Sequence, residues 1–204
     1  MNTNTSEQID LLYKISELPQ FISVQGVYLP NEIKHIRKNG RSRLIPIYEA
    51  FTNAWESFEE NDISSKNIRI EIYSNKVSLI EECEELALDK IIIKDDGVGL
   101  NNRSMRRLLV LRDNSKNRFN LGTGRVQYIH RFNRTAIRSY CAENGKQRYR
   151  EVELSKADYF LAHNAIAKVI TDEETESDMQ CTQVLLMNPL DKEDDNYYAN
   201  LSMA

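Results

Sequence analysis

Residues 90–100, KIIIKDDGVGL, decide how the rest of the chain is read. Three isoleucines between lysines form a short, bounded, β-branched run, the composition of a strand buried in a sheet. The run passes directly into two aspartates and two glycines, so a buried strand ends at an acidic loop with a freely turning backbone. Glycine is costly wherever that freedom is not needed. The chain has only seven, and four of them stand in two tight pairs, Gly97 with Gly99 and Gly122 with Gly124. The second pair opens residues 124–132 (GRVQYIHRF), which read as a helix, and the free amides and positive dipole end of a helix start suit a phosphate. A pair of glycines fits a plain turn equally well.

Upstream, residues 44–58 place Ile47, Ala50, Phe51, Ala54 and Phe58 at three- and four-residue intervals, which predicts a helix with one apolar face. Glu49 and Asn53 lie four apart on it, one turn along the same side. A carboxylate stacked beside an amide oxygen can orient a water and hold a hydrated Mg²⁺, and it also describes an ordinary polar helix face. Residues 67–73 (NIRIEIY) alternate as a half-buried strand, with 76–80 as a hairpin partner and 81–85 as an acidic loop. A short helix is expected over 103–111, no core pattern over 112–120, and strands over 136–140, 147–154 and 183–187. These elements predict an α+β fold, a two-layer sandwich of a mixed sheet with helices on one face. Residues 1–43, with helical spacing at Ile9, Leu12 and Ile15, form an expected N-terminal arm or cap. Residues 44–189 form the main domain, and 190–204, which lack a core pattern, a tail or the start of a further region.

With 204 residues and 41% hydrophobic content, the composition is that of an ordinary globule. No apolar run approaches the roughly 20 residues that cross a bilayer. The polar N-terminus lacks the charged-then-apolar order of a secretory signal, so a cytoplasmic protein without membrane attachment is expected. Cys83, Cys141 and Cys181 are widely spaced and read as reduced, structural thiols. His35, beside KNGR, also reads as structural. The net charge of -4 hides an asymmetry: residues 101–138 hold ten Lys or Arg against Asp113 alone, giving that block +9 and the remainder -13. Such a block suits an anionic ligand, either nucleotide phosphates or a nucleic-acid backbone, or else a solvated face paired with acids elsewhere.

The order of the pieces is more specific than any one of them. A helix bearing EAFTNA, a strand ending in DDGVGL, a basic loop, GTGR at a helix start and a late strand with CTQV resemble the GHKL superfamily of Bergerat-fold ATPases over residues 44–189. That superfamily includes DNA gyrase, MutL, the ninety-kilodalton heat-shock chaperone, MORC proteins and sensor histidine kinases. The resemblance implies ATP and Mg²⁺ as ligands. Glu49 takes the place of the acid that orients water and Asn53 that of the Mg²⁺ ligand. Asp95 stands where a carboxylate accepts the adenine amino group, Gly97 and Gly99 where the backbone passes close to the nucleotide, and Thr182 where a threonine helps fix the adenine. Gly122, Thr123 and Gly124 match the phosphate turn at the end of a lid. Lys116 and Arg125, ahead of Arg118, are the expected phosphate cations. Departures are Asp96 where Asn is common, two glycines in the phosphate turn where many relatives have three, and Glu56 where Asp is common.

Histidine kinases of this superfamily commonly carry Asn where Glu49 stands, and no helical pair with a phosphoacceptor histidine precedes residue 44. The resemblance therefore implies an ATP hydrolase ahead of a histidine-kinase-like phosphotransferase or a nucleotide-sensing module without turnover. Residues 124–132 resemble uncharacterised bacterial ATP-binding proteins of the chaperone and MORC-like branch, which implies slow turnover and an ATP-dependent homodimer serving output domains outside this chain. A nucleic-acid partner stays open on the basic block.

Overall fold

Side-chain alternation on the central strands builds the sheet. The computed structural model describes residues 20–23, 28–35, 42–80, 83–109 and 124–201. Its strands are β1 (Gln20–Ser23), β2 (Ile68–Ile80), β3 (Cys83–Asp95), β4 (Phe132–Glu143), β5 (Lys146–Leu154), β6 (Ala165–Glu174) and β7 (Cys181–Pro189). They form one seven-stranded sheet in the order β1-β6-β5-β4-β7-β3-β2. Every pairing among them is antiparallel, which corrects the expected mixed sheet. The central neighbours run in opposite directions because hairpins such as β4–β5, closed by Asn144 and Gly145 with φ of 52° and 78°, set them so.

Register carries one apolar row straight across the sheet: Ile93, Val184, Ile137, Val152 and Val169. All five are buried, as are Ile91, Leu186 and Leu154 in the next row. The opposite face carries Lys94, Gln183, Arg138 and Glu151 in one row, with Arg138 Nη2 to Glu151 Oε1 at 3.3 Å and Arg134 Nε to Glu153 Oε2 at 3.2 Å. One face is therefore core and the other largely polar, the pattern of a two-layer α+β domain.

Helices α1 (Leu29–His35), α2 (Ile45–Glu60), α3 (Asn102–Leu109), α4 (Gly124–Arg131) and α6 (Lys192–Leu201) contribute to the core on the apolar face. The five-residue α5 (Asp158–Ala162) sits at the β1–β6 edge. Pro46 stands in the first turn of α2, where its missing N–H costs nothing, and Ile47, Ala50, Ala54 and Phe58 face the core. Burying a side chain such as Phe58, fully enclosed, contributes about 2–3 kcal/mol. None of the helices among the described residues is long and apolar enough to cross a membrane.

Several expected boundaries move. Residues 67–73 and 76–80 do not form a hairpin with each other. They are one strand, β2, whose irregularity between Tyr73 and Ser74 absorbs the polar stretch read as a turn, and the partner β3 begins at Cys83 inside the expected acidic loop. Within residues 190–204, expected as a tail or the start of a further region, α6 packs on β2, β3 and β7 with Tyr198 and Ala199 fully buried. The arm 1–43 contributes β1 to the sheet and Leu29 and Ile33 to the core; the helix expected at 7–18 lies outside the described residues.

Candidate functional site

Asp95 ends β3 on the covered face, in the same cross-strand row as Thr182 of β7 and Ser139 of β4. It is 7% exposed and accepts the backbone N–H of Gly97 at 2.9 Å. Burial pushes its carboxyl up to about 6; the Gly97 amide opposes the rise and the charge of Asp96 adds to it. A buried acid with a raised pKa in a cavity wall is a mark of a functional position. A Cβ on Gly97 would stand 2.7 Å from Asp95 Oδ1 and 3.2 Å from Ser57 Oγ, so glycine lets α2 and the end of β3 close around the carboxylate.

The loop after Asp95 is fastened to the sheet. The Leu100 N–H donates to Ser139 Oγ at 2.7 Å, and Ser139 Oγ donates to the Cys181 carbonyl at 2.8 Å. The Leu100 carbonyl accepts Arg150 Nη1 at 2.8 Å and Cys141 Sγ at 3.3 Å. Arg150, 2% exposed, also donates to Asn102 Oδ1 at 2.6 Å and Asp172 Oδ1 at 3.1 Å. Gly99 has φ of +77°, and a Cβ there would lie 2.1 Å from the Tyr140 carbonyl. Its need for glycine comes from seating on β4. Cys141 and Cys181 are free and buried, and burial raises both thiols above their ordinary value, as expected of reduced structural cysteines.

Between α2, α3, α4 and the sheet lies a cavity of about 260 Å³. Ala50, Ala54, Leu100, Ile137 and Val184 give it apolar walls, and Asp95 and Thr182 interrupt them with polar groups. The rest of the lining, with Glu49, Asn53, Glu60, Arg103 and Arg107 in it, is polar or charged, so the cavity combines an apolar stretch with a polar one. Glu49, Asn53, Asp95, Gly99, Gly124, Arg125 and Thr182, singled out in the sequence, all line it. Gly97 is tied to Asp95 by its amide and is not part of the wall. Lys116, Arg118, Gly122 and Thr123 lie outside the described residues.

Helices α2 and α4 meet in step at one end of the cavity. A Cβ on Gly124 would lie 2.0 Å from Glu49 Oε2, so glycine at the start of α4 is what admits the Glu49 carboxylate. One turn on, Asn53 Nδ2 donates to the Tyr128 hydroxyl at 3.3 Å. Tyr128 is 2% exposed; burial raises its phenol, the Asn53 hydrogen bond opposes this, and the Glu49 charge adds to it, so the hydroxyl stays neutral. Arg125, 9% exposed, directs Nη1 to the carbonyl of Arg107, fastening the start of α4 to the last turn of α3. Arg107 in turn donates to Glu60 Oε2 at 2.6 Å, and both residues line the cavity.

Sequence reading names Arg103 and Arg107 only as members of the basic block, and misses Ser57, Glu60 and Tyr128, among the lining residues. The signal was available for three of them: Ser57 continues the four-residue step of Glu49 and Asn53, Tyr128 follows Gly124 by four, and Arg107 follows Arg103 by four.

Asn53 and Glu49 offer hard oxygen atoms, the donors Mg²⁺ takes. Among the described residues no three His, Cys, Asp or Glu side chains gather as a metal site. A Mg²⁺ held here would therefore complete its shell with phosphate oxygens and water, its usual habit. No family model matches the sequence, and no curated protein matches it.

Proposed function

We propose that this chain binds ATP with Mg²⁺ in the cavity between α2, α4 and the sheet, as a Bergerat-type site, and hydrolyses it slowly. The observation that carries the reading is the buried carboxylate of Asp95, in register with Thr182 and bordered by Ile137 and Val184. A carboxylate there accepts the exocyclic amino group of adenine, whereas guanine would present a carbonyl to it. The apolar walls take the base. The start of α4, an amide-rich positive dipole end, lies where a polyphosphate leaving the base toward Asn53 is met.

Bound Mg²⁺ supplies charge neutralisation for the phosphates. The chain's own residues do the rest. Asn53 offers an oxygen to the metal, and Glu49, held against Gly124, orients a water and takes its proton as the water oxygen attacks the terminal phosphorus. The bond from that phosphorus to the bridging oxygen breaks, giving ADP and inorganic phosphate.

Calorimetric titration with a non-hydrolysable ATP analogue and Mg²⁺, beside GTP and beside Asp95→Asn, tests the reading. Adenine-selective binding that the substitution abolishes is expected. Equal affinity for GTP, or full binding by the variant, refutes the role of Asp95. Nucleotide binding with no phosphate release, unchanged by Glu49→Ala, would make the chain a nucleotide-sensing module without turnover.

A further inference from the structure

Two helices present paired positions to each other. Glu49 and Asn53 of α2 face Gly124 and Tyr128 of α4 in the same order, with Gly124 giving the close approach. An asparagine carboxamide is a donor on one side and an acceptor on the other. Asn53 spends its Nδ2 on the Tyr128 hydroxyl, and both residues line the cavity. The amide oxygen is thereby directed away from Tyr128, and a tyrosine oxygen that accepts this bond keeps its own proton to donate.

We propose that Tyr128 is a positioning residue that fixes the Asn53 side chain with its oxygen presented to a cavity-bound divalent cation. This rests on the Mg²⁺·ATP reading above and adds a residue to it. Without the hydroxyl, the amide of Asn53 loses the partner that favours one orientation and can present its NH₂ group, which repels a cation, in place of its oxygen. A fixed partner behind a metal ligand typically matters by about 10–100-fold in metal affinity.

The test is Tyr128→Phe, which keeps the buried ring and removes one oxygen. The wild type and the variant are titrated with a non-hydrolysable ATP analogue in EDTA and across a Mg²⁺ series, with Mn²⁺ binding followed by electron paramagnetic resonance. The metal-free affinities should agree, while the variant's Mg²⁺ and Mn²⁺ affinities for the protein–nucleotide complex fall about tenfold. In an Asn53→Asp background the same change should have no effect on the metal series, because either carboxylate oxygen serves. Undiminished metal dependence in Tyr128→Phe overturns the proposal, and so does an equal loss of metal-free affinity, which marks a packing role. Side-chain amide resonances of Asn53 in the wild type, assigned by their loss in Asn53→Asp, give a second readout. Slow exchange of one amide proton supports the bond to Tyr128, and fast exchange of both removes its basis even if the variant fails to fold. No nucleotide binding by the wild type under any condition would remove the ATP reading itself, and this inference with it.

Discussion

Asp95 binds a proton more tightly in the folded chain than its ordinary value allows, because its carboxylate is buried. The sign of the consequence follows from linkage. A raised folded pKa gives stability that is full below the unfolded value near 3.8 and is lost as pH rises through about 6. At pH 8 the ionised form costs on the order of 3 kcal/mol. Asp95→Asn keeps an oxygen for the Gly97 amide and removes the charge. It should raise the melting temperature by several degrees at pH 8, with the gain shrinking toward zero at pH 4, while nucleotide binding is lost. Melting curves of both proteins at the two pH values check this; a difference independent of pH would mean that the charge is not what costs stability. By the same sign, ATP affinity in the wild type should fall as pH drops through about 6, since the adenine amino group prefers the ionised carboxylate. Glu49 and Gly124 give a second prediction at this scale. In Gly124→Ala the new methyl occupies the place of Glu49 Oε2, so phosphate release should fall more than analogue affinity, read as a drop in kcat larger than any rise in KM.

At the scale of elements, the two positive-φ glycines among the described residues separate packing from conformation. Gly99 has φ of +77° with the Tyr140 carbonyl 2.1 Å from a built Cβ, whereas Gly145 has φ of +78° with nothing within 4 Å. Gly145→Ala should cost about 1 kcal/mol, the penalty of the left-handed backbone alone. Gly99→Ala adds the clash with β4, should cost more than about 2 kcal/mol, and should loosen the Leu100 loop. Urea unfolding of the two variants compares them directly, and equal midpoints would show that the loop yields. These elements also explain what was legible. The isoleucine run of β3, the amphipathic α2 and the paired glycines announce themselves through period and composition, and they carry Glu49, Asn53, Asp95 and Gly124 to one cavity. The single strand β2 reads as a hairpin in sequence because Ser74 and Asn75 have turn chemistry, which pairing with Leu88 and Ala87 overrides. Arg150 and Ser139 were invisible as loop anchors, since their partners are backbone atoms of Leu100, far away in sequence.

Across the whole molecule, Asp194 joins parts of the chain that hydropathy would never pair. Its carboxylate receives Arg131 Nη1, at the end of α4, at 2.8 and 3.0 Å and Arg43 Nε, before α2, at 2.9 Å. Tyr198, one turn further along α6, donates to the Arg43 carbonyl. A segment rich in Asp, Glu and Asn therefore docks as a core helix, its polar residues answering buried arginine, and this is why residues 190–204 carried no readable core pattern. The same carboxylate holds the far ends of the two helices that frame the cavity. Asp194→Ala leaves the guanidinium of Arg131, a side chain only 4% exposed, without its carboxylate, so it should destabilise by about 3–5 kcal/mol. Arg43→Ala removes a side chain that is 38% exposed, where solvent screens the pair, and should destabilise far less than Asp194→Ala. If Asp194 also fixes how α4 meets α2, the destabilised variant should bind the ATP analogue more weakly even at temperatures where it remains fully folded. Denaturant unfolding, followed by titration well below the midpoint, separates the two effects. Equal small losses in both variants would show that α6 is held by Tyr198 and its apolar neighbours alone.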